Sequence, residues 1–115
     1  MIRRENEQTI DHKCIRGGKG EAELHLLLKG EEEMFGRIRM FNRMVLAPGN
    51  TIGEHTHSGD NEIFYFLSGS GTYNDNGNVV SVGPGDTTLC KDGEMHSLAN
   101  TGTEPLEFIA VIVLS

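Results

Sequence analysis

The chain has 115 residues, 15 of them glycine and 3 proline, with no tryptophan and 37% hydrophobic residues. Average usage would supply about eight glycines, so many tight turns are expected, while the apolar content suffices for one modest core in a single domain. Ten Lys+Arg against 17 Asp+Glu give a net charge of −7 with the basic residues scattered, which sets nucleic-acid binding aside.

At the start, Met-Ile-Arg-Arg runs into Glu-Asn-Glu-Gln without an apolar stretch, so no secretory signal is expected. The longest wholly apolar run, Phe108 to Leu114, falls far short of the ~18 residues of a membrane span. A soluble, cytoplasmic protein without membrane association is the expectation. Cys14 and Cys90 show no CxxC spacing, and each reads as a buried thiol.

Residues 1–20 are polar and contain Gly17-Gly18-Lys19-Gly20; they read as an N-terminal arm or an added edge strand, with residues 21–115 as the main domain. Glu21 to Lys29 alternate, with Ala22, Leu24, Leu26 and Leu28 opposite Glu23, His25 and Lys29, the pattern of a half-buried strand. Arg37 to Leu46 alternate again, with Ile38, Met40, Met44 and Leu46 opposite Arg37, Arg39, Phe41 and Arg43. Shorter strand signals recur at Thr51–His57, Glu62–Ser68, Gly71–Asn74, Val79–Val82, Asp86–Cys90, Met95–Ala99 and Leu106–Leu114. Turn residues such as Ala47-Pro-Gly-Asn, Ser58-Gly-Asp-Asn, Asp75-Asn-Gly-Asn and Gly83-Pro-Gly-Asp separate them. No glycine-free window after residue 35 carries a helical period. The expected class is all-β, a sandwich or barrel, with a rolled jelly-roll barrel the economical way to protect many short edges.

Ile63-Phe-Tyr-Phe-Leu67 and Phe108 to Leu114 are apolar at consecutive positions, so both faces of those strands want burial. One small barrel covers only the inward face. A homodimer packed sheet against sheet is therefore expected.

The chemistry concentrates in Gly49 to Gly69. His55 and His57 are two apart, which in a strand places both imidazoles on one face about 7 Å apart at the backbone, able to converge on one ion. The turn at Ser58 to Asn61 is expected to close a hairpin that returns the carboxylate of Glu62 beside them. His96, taken alone, reads as a hydrogen-bonded or exposed histidine. Inward parity adds Phe64, Phe66 and Ser68 to Glu62, and Leu98 to His96. Met34, Met40, Met44 and Met95 read as core packing, the three arginines as a solvated face, and His12 and His25 receive no role.

The segment 49–69 fits Gly-x5-His-x-His-x4-Glu-x6-Gly, and 85–100 fits Gly-x5-Pro-x-Gly-x2-His-x3-Asn except that Lys91 stands at the proline position. These paired patterns resemble the cupin family. The resemblance implies a double-stranded β-helix (cupin/jelly-roll) barrel, with His55, His57, Glu62 and His96 binding one divalent transition metal ion of the Fe, Mn, Zn, Ni, Co or Cu type. It implies turn roles for Gly49, Gly69, Gly85 and Gly93 and a turn-stabilising role for Asn100, and the Lys91 departure leaves the rigidity of that loop open. Four ligands on a six-coordinate ion would leave two positions for a small-molecule ligand or substrate, whereas a tetrahedral ion would be closed. The first expectation is a metal-dependent enzyme on a small organic substrate, dioxygenase-like, with isomerase or decarboxylase chemistry next. The alternative is a non-catalytic module that binds a metal or small ligand.

Overall fold

The structure, a computed structural model, describes residues 1–115. Ten strands follow in chain order: β1 (Thr9–Lys13), β2 (Ala22–Leu26), β3 (Ile38–Leu46), β4 (Thr51–Thr56), β5 (Asp60–Ser68), β6 (Gly71–Asp75), β7 (Asn78–Val82), β8 (Thr87–Cys90), β9 (Met95–Ala99) and β10 (Leu106–Leu114). A single helical turn, Gly30–Glu33, follows β2. The strands form two antiparallel sheets, one of order β1-β2-β3-β10-β5-β8 and one of order β4-β9-β6-β7. This is the expected jelly-roll barrel, a double-stranded β-helix.

The alternating apolar positions face inward as their period requires. Ala22, Leu24, Met44, Leu46, Phe64, Phe66, Phe108 and Ala110 of the larger sheet meet Ile52, Tyr73, Val82 and Leu98 of the smaller one in one core. Phe64 and Phe108 lie 4.8 Å apart between ring centroids, Phe66 and Phe108 5.4 Å. Ser68 departs from the inward parity: it lies at the exposed end of β5, where it hydrogen-bonds Glu107 on the partner strand.

The expected hairpin between the first histidines and Glu62 does not form. β4 pairs with β9 in the smaller sheet, and β5 pairs with β10 and β8 in the larger one. Gly59, at φ +81°, turns the chain from one sheet to the other, and β5 already begins at Asp60. Glu62 therefore faces the histidines across the barrel interior.

Two further expectations need correction. Cys14 is exposed while Cys90 is buried, and burial pushes the Cys90 thiol up to about 11, an inert core group. His25 lies on the polar face of β2 but is buried, because Arg43 donates to its Nδ1 at 3.1 Å and Glu23 takes its Nε2–H at 2.5 Å. Arg43 also pairs with Glu107, and Arg39 pairs with Asp60, so two of the three strand arginines are tied down.

The N-terminal segment is integrated with the barrel. β1 pairs with β2 at the edge of the larger sheet, and Ile15 to Lys19 then crosses onto the start of β4. Gly53 donates to the Ile15 carbonyl and Thr51 to that of Lys19. The crossing is close because both sides are glycine: a Cβ on Gly53 would lie 2.0 Å from the Arg16 carbonyl oxygen, and one on Gly18 2.2 Å from that of Thr51.

Candidate metal centre

His55 and His96 are direct cross-strand partners on β4 and β9, so their side chains leave the sheet on the same side. A register shift between Ile52 and His55 is a bulge of the kind that re-aims a side chain, here toward the interior. His57 lies one residue past the end of β4, held by hydrogen bonds from its own N–H to the Glu94 carbonyl and from Gly93 to its carbonyl. Glu62 reaches in from β5. The four residues offer ligand atoms that all lie within 4.8 Å of one another.

The tautomers follow from the outer hydrogen bonds. His55 Nδ1 faces the Gly53 carbonyl at 2.7 Å, His57 Nδ1 the Asp60 carboxylate at 2.7 Å and His96 Nδ1 the Tyr73 hydroxyl at 2.7 Å. Each carbonyl, carboxylate or phenol oxygen can accept an N–H there, which leaves all three Nε2 atoms as lone pairs aimed at one point. Asp60 is itself gripped by Arg39, and the Phe64 ring stacks on His96 at 5.3 Å.

The spacing of the donors matches an ion. Donors about 2.1 Å from one centre lie about 3.0 Å apart at right angles and about 4.2 Å apart across it, whereas a tetrahedron sets every pair near 3.4 Å. His57 and His96 Nε2 are 3.1 Å apart, His96 and His55 Nε2 3.1 Å, and Glu62 Oε1 lies 3.0 Å from His96 and 3.2 Å from His57. Glu62 Oε1 and His55 Nε2 are 4.0 Å apart. Four of these separations are close to the right-angle spacing and the fifth to the opposed one, as expected of donors around an octahedral ion.

Burial holds His55 below the ordinary histidine range, which favours the neutral ring a metal needs. His57 is raised by its hydrogen bond to Glu62, with Asp60 adding to it. Burial drives the Glu62 carboxyl upward, but the His57 and His96 rings against it outweigh that effect and leave it below its ordinary value.

The centre opens onto a cavity of about 70 Å3. Its apolar wall is Ile15, Met40, Met44, Ile52, Phe64 and Ile112, and its polar lining is His55, His57, Glu62 and Arg16. Met40 and Met44 therefore line the site rather than only filling the core, and Arg16 joins it from the N-terminal segment; the glycine-rich stretch after it was the one sequence signal of a tight approach there. The second-motif loop is pinned despite Lys91. Lys91 N–H donates to Glu94, Asp92 N–H to Asn61 and Gly59 N–H to Asp92, contacts that fix the loop without a proline. Asn100 holds the turn after β9 by donating to the Leu46 and Glu104 carbonyls, each at 2.8 Å, and accepting from Gly102. Gly49, Gly69, Gly85 and Gly93 all adopt positive φ, as turn positions require.

Residues 42–112 match the cupin domain family. Over 116 aligned residues the chain is 47% identical to an oxalate-binding protein of Thermotoga maritima, covering 99% of this chain and 94% of that one. A solved structure from Thermotoga maritima, described as a predicted oxalate decarboxylase, superimposes over 100% of both chains with a TM-score of 0.94 and 45% identity. A polyketide cyclase of Streptomyces resistomycificus, 21% identical, shares the fold over 100% of this chain and 81% of its own with a TM-score of 0.78.

Proposed function

The chain belongs to the cupin family, and on that footing we propose that it binds a small carboxylate of the oxalate class at a divalent transition metal held by His55, His57, Glu62 and His96. The observation that carries this reading is the cavity: the four-residue donor cluster opens onto about 70 Å3. That is room for a handful of waters or a molecule of a few heavy atoms, well below the several hundred Å3 of a pocket for drug-sized ligands. A two-carbon dicarboxylate fits in size and presents two oxygens side by side.

A bound divalent ion would supply Lewis acidity and a template for the carboxylate oxygens. The protein's own part is to keep three imidazoles in the metal-binding tautomer and Glu62 ionised. Six apolar residues keep water from the rest of the ligand, which strengthens every charge interaction within. The binding reading comes first because the polar lining consists of the four-residue centre's His55, His57 and Glu62 together with Arg16, and loss of carbon dioxide from oxalate needs a proton delivered to carbon. Decarboxylation is the second reading, favoured by the 45% identical structural relative.

The test is calorimetry of oxalate into protein loaded with manganese or cobalt, beside an assay for formate and carbon dioxide. Saturable oxalate binding without formate supports the first reading, formate with turnover supports the second, and absence of oxalate binding at millimolar ligand overturns both.

The chain is proposed to work as a homodimer. On the outer face of the larger sheet Tyr65, Leu67 and Leu89 are 40–47% exposed, and Ile63, Ile109 and Val111 are half-buried beside them. Light scattering at micromolar concentration decides it, and a monomer there counts against the dimer. No helix is long and apolar enough to cross a membrane; a cytoplasmic location is proposed on the two free thiols.

A further inference from the structure

We infer that Arg16 is the specificity residue of this cavity, binding the negative charge of the ligand that the metal leaves unmatched. The inference rests on the carboxylate reading above and adds to it a second point of recognition. Arg16 lines the same cavity as His55, His57 and Glu62. It is the only Lys or Arg among the lining residues, in a chain whose acids outnumber its bases by 17 to 10. Three other arginines are committed to carboxylates, Arg3 to Glu33, Arg39 to Asp60 and Arg43 to Glu107, and neither Arg4 nor Arg37 lines the cavity. The Arg16 guanidinium makes no hydrogen bond or ion pair within the chain.

The backbone is built to hold Arg16 there. It stands at φ +55°, followed by Gly17 at φ +68°, in a turn closed by the Gly18 N–H on the Ile15 carbonyl at 3.0 Å. Positive φ is uncommon for a residue with a long side chain and is more readily adopted by Asn or Gly. Strained backbone at a ligand cavity persists where the surroundings over-determine it, and here they do. The Gly53 N–H binds the Ile15 carbonyl, and the Arg16 carbonyl packs where a side chain on Gly53 would stand. Gly53 also takes the Nδ1–H of His55 on its own carbonyl, so one glycine positions both a metal ligand and Arg16.

The chemistry follows from charge. A dicarboxylate carries one more negative charge than acetate or formate, and a guanidinium matches a carboxylate with paired N–H donors in a plane. The site therefore discriminates dianion from monoanion at Arg16, with the metal contributing to both.

The experiment compares wild type, Arg16→Asn and Arg16→Lys, each loaded with manganese and checked for metal content. Oxalate and acetate affinities are measured by calorimetry at two salt concentrations. Asn is chosen because it tolerates the left-handed backbone. Arg16→Asn is expected to weaken oxalate by about tenfold or more, to leave acetate affinity within about twofold and to flatten the salt dependence of oxalate binding. Arg16→Lys is expected to recover part of the loss, and metal stoichiometry to stay at the wild-type value. Equal oxalate affinity in wild type and Arg16→Asn, or a parallel loss of oxalate and acetate, overturns the role of Arg16 while the carboxylate reading stands. Failure of the wild type itself to bind oxalate overturns that reading, and this inference with it.

Discussion

His55 and His96 face each other directly across β4 and β9, with their Nε2 atoms 3.1 Å apart. Because Nδ1 of each ring meets an oxygen, the two Nε2 lone pairs point at one another, an arrangement that is repulsive until a cation or proton stands between them. His57 and Glu62 close the same ring of donors. The barrel thus holds a site whose own electrostatics favour a bound cation.

Metal loading is expected to raise thermal stability, since an ion that binds only the folded chain stabilises it by mass action, about 2.7 kcal/mol at a hundredfold excess over Kd. Metal analysis with scanning calorimetry checks this, using His57→Ala as control. One equivalent of metal in wild type, lost in His57→Ala together with the stabilisation, is the expected outcome. Sub-stoichiometric metal unaffected by the substitution would refute the site.

The residues behind the ligands carry a separate prediction. Tyr73→Phe retains the ring in the core but removes the oxygen at His96 Nδ1, and Asp60→Asn removes the anion at His57 Nδ1. Each is expected to cut metal affinity by about 10- to 100-fold, measured by competition with a chromophoric chelator. The barrel should stay folded, with Tyr73→Phe costing about 1–3 kcal/mol.

The pH dependence follows from the shifts of His57 and Glu62. The metal-free His57 has a raised folded pKa, so the stability it contributes is full below the unfolded value near 6.5 and is lost as pH rises through the folded value. Glu62 is depressed, so its contribution is present above the unfolded value and lost as pH falls through the folded one. Metal must displace the His57 proton, so apparent affinity is expected to climb by about tenfold per pH unit below the raised His57 value and to level above it. Chelator competition between pH 6 and pH 8.5 gives the profile; a flat curve sinks the idea.

Gly53→Ala tests the close crossing of the N-terminal segment over β4. The new Cβ would meet the Arg16 carbonyl at 2.0 Å, so the segment must lift or β4 must bend. A loss of about 1–3 kcal/mol is expected, with oxalate affinity falling alongside it. Urea unfolding gives the first quantity and calorimetry the second, and a wild-type value for both would show that the segment does not need this contact.

The strands and their inward faces were legible in the chain's own pattern, because a period of two and glycine-rich turns are local properties: Phe64, Phe66, His96 and Leu98 are all buried as their parity requires. The resemblance of the two motifs to the cupin family implied His55, His57, Glu62 and His96 as a set, while strand spacing by itself paired only His55 with His57. Where those strands go is set by the folded barrel. β4 and β5 are neighbours in the chain but belong to different sheets, so Glu62 meets the histidines across the interior, a relation set by strand pairing over long sequence separations that no local pattern encodes. The same holds for Tyr73 behind His96, for Met40 and Met44 on the cavity wall, and for Arg16, whose place depends on two glycine backbones 35 residues apart, Gly18 and Gly53, approaching each other without side chains.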